Sequence, residues 1–262
     1  MRSAMPKPAW SSLALREVLL GAPGHGRVQW ETRFASYAQV RCRGRDQLVA
    51  LLSPGAVRVP MGVVVDTRGL PGPGTDVHVG AGVIGFGASS WRATRWWDPR
   101  PRVSAAALMA HRDALERAVR AEPDRSFGIP LEEEMSVAAS IAQGDIQAAH
   151  AVIGLGPGLT PSGDDVVAGA LVALALLSRL DAGTGRGVLD RARTHTTALS
   201  AALLEAATKG QVIPQAAHLL EAIAADVPQP QIDARADELF AVGSHSGHDL
   251  AAGMLGALVG AS

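Results

Sequence analysis

Cysteine is almost absent from this chain: Cys42 stands alone among 262 residues. No internal disulfide can form, and a reducing compartment is the default expectation, here the cytoplasm. Lysine is nearly as scarce, with Lys7 and Lys209 set against 22 arginines. A mechanism that needs a Schiff-base or phosphate-bound lysine therefore has little to draw on. Long hydrophobic runs are missing too. The longest uncharged apolar run extends from Val166 to Leu177, twelve residues, too short to span a bilayer and better suited to a buried core helix. The opening MRSAMPKPAWSSLALREVLLG is interrupted by Arg16 and Glu17 and does not read as a secretory signal. A net charge of −1 with 47% hydrophobic residues excludes a disordered or nucleic-acid-coating chain. Neither a nucleic-acid nor a membrane partner is expected.

The near-neutral total hides two unlike halves. Residues 1–102 hold 14 Lys+Arg against 6 Asp+Glu, or +8, whereas residues 103–262 hold 10 against 19, or −9. Opposite fields of this kind suit two modules that dock on each other or an oppositely charged partner. Segments such as LVALLS, VRVPMGVVVD and TDVHVGAGVIGFG are short, valine-rich and separated by Gly/Pro turns, the pattern of strands in a small barrel or sandwich. ASSWRATRWWDPRPR then reads as a connector pinned by Trp91, Trp96 and Trp97; nucleic-acid stacking is the rival reading of that Trp/Arg mix. From Ser104 onward the periodicity is helical. The expected class is α+β: an N-terminal arm or helix (1–26), a small β-barrel or sandwich (27–87), a connector (88–103) and an all-α domain (104–262) with two glycine-rich loop-to-helix starts.

The densest chemistry lies at 154–165, GLGPGLTPSGDD, ahead of VVAGALVALALL. Ser162 fits an N-cap, with Asp165 reaching back as in a capping box. Capping needs one hydroxyl and leaves GLGPG unexplained. Alternating glycines expose backbone N–H groups and let a ligand approach the main chain closely. The same grammar returns at the C-terminus, where SGDDVVAGALVAL (162–174) aligns without gaps on SGHDLAAGMLGAL (246–258). Ser162, Gly163, Asp165, Ala168, Gly169, Leu171 and Leu174 fall on Ser246, Gly247, Asp249, Ala252, Gly253, Leu255 and Leu258. Matching glycines suggest a close-packed helix pair. Were both N-termini to meet, two dipole ends would converge on one anion.

Asp164, Asp165 and Asp249 would repel such an anion unless they turn away, cap their own helices, hold a cation or orient an amide N–H. No resident cofactor is assigned, and Mg²⁺ carried on a phosphate is the one cation this pattern suggests. A phosphate-binding P-loop is excluded because no lysine follows these glycines, a dinucleotide fingerprint because Leu159 replaces its third glycine, and a G-x-S-x-G elbow is absent. His245 and His248 flank Ser246 beside Asp249. They fall short of a zinc set, so no metal ligand is assigned, and His245 is kept for proton transfer or hydrogen bonding. Thr196, Thr197 and Ser200 either face a pocket or bond back to their own helix turn. Arg193 and Lys209 are anion partners or plain surface charges.

GLGPGLTPSGDDVVAG, TTALSAALLEAATKGQVIPQ and VGSHSGHDLAAGMLGAL together resemble the AllH-like family, over roughly residues 130–262. That resemblance implies one subunit of an oxamate carbamoyltransferase of anaerobic allantoin breakdown, acting beside two other chains. It further implies the exchange oxamate + carbamoyl phosphate ⇌ oxalurate + phosphate or a related ureide reaction. Carried over by position, the implicated residues are Gly156, Gly158, Thr160, Ser162, Asp164, Asp165, Ser246, Gly247 and Asp249. His245 departs from the family, which often has a hydroxyl residue there. The expected catalytic set is Asp164, Asp165, Asp249 and His245. The expected substrate-binding set is Gly156, Gly158, Thr160, Ser162, Gly163, Ser244, Ser246, Gly247, Thr196 and Lys209. The partners are a small anionic metabolite and other carbamoyltransferase subunits, with homo-oligomerisation an alternative. A non-catalytic ligand-binding or assembly subunit, or an Mg²⁺-dependent phosphoryl-transfer enzyme, are the rival readings.

Overall fold

The computed structural model describes residues 5–67, 69–121 and 129–262. The chain forms two compact units, Met1–Pro99 and Arg100–Ser262. The first contains β1 (Lys7–Ser12), α1 (Arg16–Leu20), β2 (Gly24–Glu31), β3 (Ala35–Cys42), β4 (Arg45–Leu52), β5 (Gly62–Val64), β6 (Asp76–Gly80), β7 (Val83–Phe86) and β8 (Ser89–Trp97). These strands close a barrel in the order β1-β5-β4-β3-β2-β6-β7-β8. Closure removes the sheet edges that would otherwise invite pairing with another chain.

Two sequence expectations change here. The presumed arm contributes β1, and the presumed connector is β8, which pairs in parallel with β1 and antiparallel with β7. The abrupt change of composition at 88–102 marks a strand whose arginines, Arg92 and Arg95, are exposed while Trp91 and Trp97 are buried. Aromatic residues suit such a half-buried pleated surface. Trp91 is stacked on Phe86 and donates its indole N–H to the Asp66 carbonyl, so packing accounts for it.

The second unit contains α2 (Ala105–Ala110), α3 (Arg112–Ala121), α4 (Leu131–Ala142), α5 (Ile146–Val152), α6 (Ser162–Leu176), α7 (Ala182–His195), α8 (Ala198–Ala207), α9 (Pro214–Ala224), α10 (Gln229–Phe240) and α11 (Ser246–Gly260). Ser104 caps α2 through its hydroxyl, as expected. Helix α6 is buried from Ser162 to Leu174, as its lack of a polar face requires of a core helix. It packs against α4, α8 and α11. Among the described residues no helix is long and apolar enough to cross a membrane.

The seam between α6 and α11 consists of backbone against backbone. A Cβ placed on Gly169 would lie 2.2 Å from the Leu250 carbonyl oxygen, and one on Gly253 would lie 2.1 Å from that of Val166. These are the same contact made twice, because Val166 and Leu250 are matching positions of the repeat. Nearly one turn further along α11, a Cβ on Gly256 would lie 2.4 Å from the Met135 carbonyl oxygen of α4. Gly253→Ala must therefore push the two helices apart and should cost about 2–3 kcal/mol. Urea unfolding of the full chain, followed through the helical signal, measures that loss. A change below ~0.5 kcal/mol, the scale of a neutral surface substitution, would show that the helices separate freely.

Candidate functional site

The glycine-rich segment 154–161 lies outside the helices and leads into α6. Two of its turns require glycine. Gly154 has φ +86°, and any Cβ there would strike the His195 carbonyl oxygen at 2.1 Å. Gly156 has φ +116° and lies against the Ser162 N–H. The loop is exposed from Leu155 to Leu159. No protein acceptor among the described residues takes the N–H of Gly156, Gly158 or Thr160.

The capping-box expectation is overturned. Pro161 and His245 occupy the N-cap positions of α6 and α11, and neither helix start has a side-chain cap bond. Ser162 and Ser246 are already helical. Loop backbone takes up the first-turn donors instead: the Gly163 N–H donates to the Leu155 carbonyl (3.0 Å) and the Gly247 N–H to that of Val242 (3.2 Å). Gly163 and Gly247 also let the preceding helices approach, since a Cβ on either would collide with the carbonyl of Val152 or Leu239. These two glycines thus pack the entrances rather than offering free amides.

Freed from capping, the acids have separate surroundings. Asp164 is buried and accepts from the Gly154 N–H (2.8 Å), the Ser200 hydroxyl (2.7 Å) and the Thr196 hydroxyl. One carboxylate therefore ties the loop to α6 and to the start of α8. Thr197 adds a bond from its hydroxyl to the Leu159 carbonyl (2.5 Å) and caps α8. The hydroxyls of 196–200, expected either to face a pocket or to bond locally, brace the loop.

Asp165, 8% exposed, stands on the α6–α11 seam. Burial pushes its carboxyl well above the usual carboxylate range; the Ser246 hydroxyl draws it back, the charges of Asp249 and Asp164 push it up again, and the Thr160 hydroxyl lowers it slightly. Thr160 Oγ1 and Ser246 Oγ are 3.0 Å apart. The N-terminal ends of α6 and α11 therefore meet at one place, where the positive ends of two helix dipoles act together.

Asp249 faces elsewhere as well. Together with Glu134 of α4 and His248 it forms a cluster whose possible ligand atoms all lie within 4.8 Å of one another. All three are buried, and the Phe240 ring packs against the imidazole at 5.4 Å. Sequence reasoning missed Glu134. Its spacing from Ala138 and Ile141, both buried, was the available signal: i, i+4 and i+7 share one helix face.

Of the remaining expected residues, Lys209 lies apart from this centre and Ser244 stands two residues before Ser246. Ser244 is in the exposed loop before α11. Lys209 lies two residues beyond the end of α8, a helix about 15 Å long, and pairs with Glu205 at 2.7 Å. Arg193 is exposed and pairs with Asp190. A cleft of about 530 Å³ between α9 and α10, lined by His218, Glu221, Gln231, Arg235 and Glu238 among others, contains none of the expected site residues.

A barrel unit and a helical unit, the latter built around two related helix starts that meet, define the class of protein this is: α+β, with its candidate site in the helical part. Residues 152–258, less than half of the chain but including both starts, match the family model described as oxamate carbamoyltransferase subunit AllH. Over that region the chain is similar to this family. No solved structure matches it.

Two outcomes follow. Asp164→Asn replaces an acceptor with a donor facing hydroxyl and amide donors. It should cost about 2–3 kcal/mol in chemical denaturation and make 154–161 more sensitive to protease. For Asp165, the folded chain keeps a proton that the unfolded chain releases. Its contribution is complete below the unfolded pKa of about 3.9 and is lost as pH rises towards the elevated folded value. Asp165→Asn should escape that loss. In EDTA, the melting temperature of the variant relative to wild type should climb from pH 4 to pH 8. A difference independent of pH would mean that Asp165 is ionised in the fold.

Proposed function

We propose that this chain is the AllH-type subunit of a carbamoyltransferase that moves the carbamoyl group between carbamoyl phosphate and oxamate or a related ureide acceptor. The observation that carries this reading is the meeting of the α6 and α11 starts at Thr160 and Ser246, inside the segment matched to the family.

The acids had argued against an anion at this place, and their surroundings remove the objection. Asp164 is occupied by three donors. Asp249 belongs to the cluster with Glu134 and His248. Asp165 is held towards its neutral form, in which a carboxylic acid donates a hydrogen bond instead of repelling oxygen. The open N–H groups of Gly156 and Gly158 supply further donors for a phosphate.

In the transfer, the acceptor nitrogen attacks the carbonyl carbon of carbamoyl phosphate. A C–N bond forms, the C–O bond to phosphate breaks, and the nitrogen loses a proton. Negative charge grows first on the carbonyl oxygen and then on the leaving phosphate. Hydroxyl, amide and carboxylic acid donors fixed around two helix starts are suited to both. Holding the two substrates together supplies much of the remaining acceleration. His245, at the N-cap position of α11, is the residue we assign to the proton of the acceptor nitrogen.

Bracing by Asp164, Thr196 and Ser200 is also what a non-catalytic binding subunit would need. The two readings part in an assay of phosphate release from carbamoyl phosphate and oxamate, with the chain alone and with the other subunits. Turnover is expected in the reconstituted mixture. There Ser246→Ala should lower kcat/KM by about 10–100-fold, within the range for losing one positioned donor, without loss of assembly. Unchanged turnover in that variant would assign the chain an assembly role.

A further inference from the structure

Behind the meeting point of the two helix starts, the first turns of α4 and α11 bring Glu134, His248 and Asp249 together. Their relative exposures are 0%, 1% and 0%. One imidazole nitrogen and two carboxylates, each offering a ligand atom, lie mutually within 4.8 Å. Ligands held about 2.0–2.2 Å from a common ion stand no more than about 4.4 Å apart. A few tenths of an ångström of side-chain adjustment would therefore complete such a set.

An independent observation comes from the neighbouring helix. Asp165 on α6 is 8% exposed, lies within the electrostatic reach of Asp249, and has a buried Oδ2 that accepts no hydrogen bond from the described residues. Buried carboxylates are stable only when paired, protonated or bound to a cation. Three of them, Glu134, Asp165 and Asp249, share this part of the core with an imidazole.

We propose that Glu134, His248 and Asp249 bind one divalent first-row transition-metal ion of the Zn²⁺ or Mn²⁺ type. The donor set selects the class. Imidazole among carboxylates suits Zn²⁺, Mn²⁺ or Fe²⁺, whereas Mg²⁺ prefers to retain several waters, which fully buried side chains do not favour. The ion would join α4 to α11 directly beneath the loops and hold the two entrances in register. The proposal stands whether or not the chain takes part in carbamoyl transfer.

The test uses the full chain, stripped with chelator and then titrated separately with Zn²⁺, Mn²⁺ and Mg²⁺. Bound metal is counted by elemental analysis after gel filtration, and the melting temperature is followed in parallel. One equivalent of Zn²⁺ or Mn²⁺ should survive filtration and raise the melting temperature with concentration, and Mg²⁺ should do neither. Glu134→Gln and His248→Gln should each weaken binding by at least about tenfold, whereas Glu133→Gln, an exposed neighbour, should leave it unchanged. Binding that persists in both Gln variants, or no retained ion and no shift with either metal, would overturn the proposal. If the Gln variants fail to fold, X-ray absorption of Zn²⁺-loaded wild type decides. A shell of one imidazole with oxygen donors supports the site; sulfur or several imidazoles rejects it.

Discussion

The helical unit depends on how closely α6 and α11 approach. Glycine at 169 and at 253 lets each backbone lie against a carbonyl of the other helix, a separation that any side chain would prevent. Everything at the candidate site follows from that crossing. Because it falls within two turns of both N-termini, the two starts cannot diverge far, and Thr160 reaches Ser246. A crossing at the far end of these helices would have left two unrelated entrances.

That closeness has an electrostatic consequence. Asp165 and Asp249 occupy matching repeat positions and are carried inward together, where two carboxylates in a poorly solvated space cannot both keep their charge cheaply. The repeat resolves this by breaking its own symmetry. Asp164 has His248 as its counterpart. On α6 the carboxylate finds Gly154, Thr196 and Ser200; on α11 the imidazole joins Glu134 and Asp249. One half of the duplication thus braces a loop, and the other assembles a mixed nitrogen–oxygen cluster.

Much of the polar character of the motif is therefore internal. Gly163, Gly247, Asp164 and the hydroxyls of 196–200 hold the entrances in shape. The groups left open among the described residues are the N–H groups of Gly156, Gly158 and Thr160. This division suits a site that is preorganised before its ligand arrives, since donors already held in place need little reordering when charge develops.

The sequence by itself determined the class of each half, the core placement of α6 and the internal repeat, because these rest on composition and periodicity that neighbours along the chain establish. It also contained the resemblance that the family match bears out. Its errors arose where distant residues decide. β1 and β8 become strands by pairing with each other across most of the barrel unit, so a local reading took one for an arm and the other for a connector. Ser162 and Asp165 had the spacing of a capping box, but the helix starts at Ser162 itself and the Leu155 loop carbonyl takes the Gly163 N–H. Glu134 reached the cluster because α4 packs on α11. A carboxylate at a helix start ordinarily stays in water, and only the tertiary structure could show that this one was buried beside His248 and Asp249.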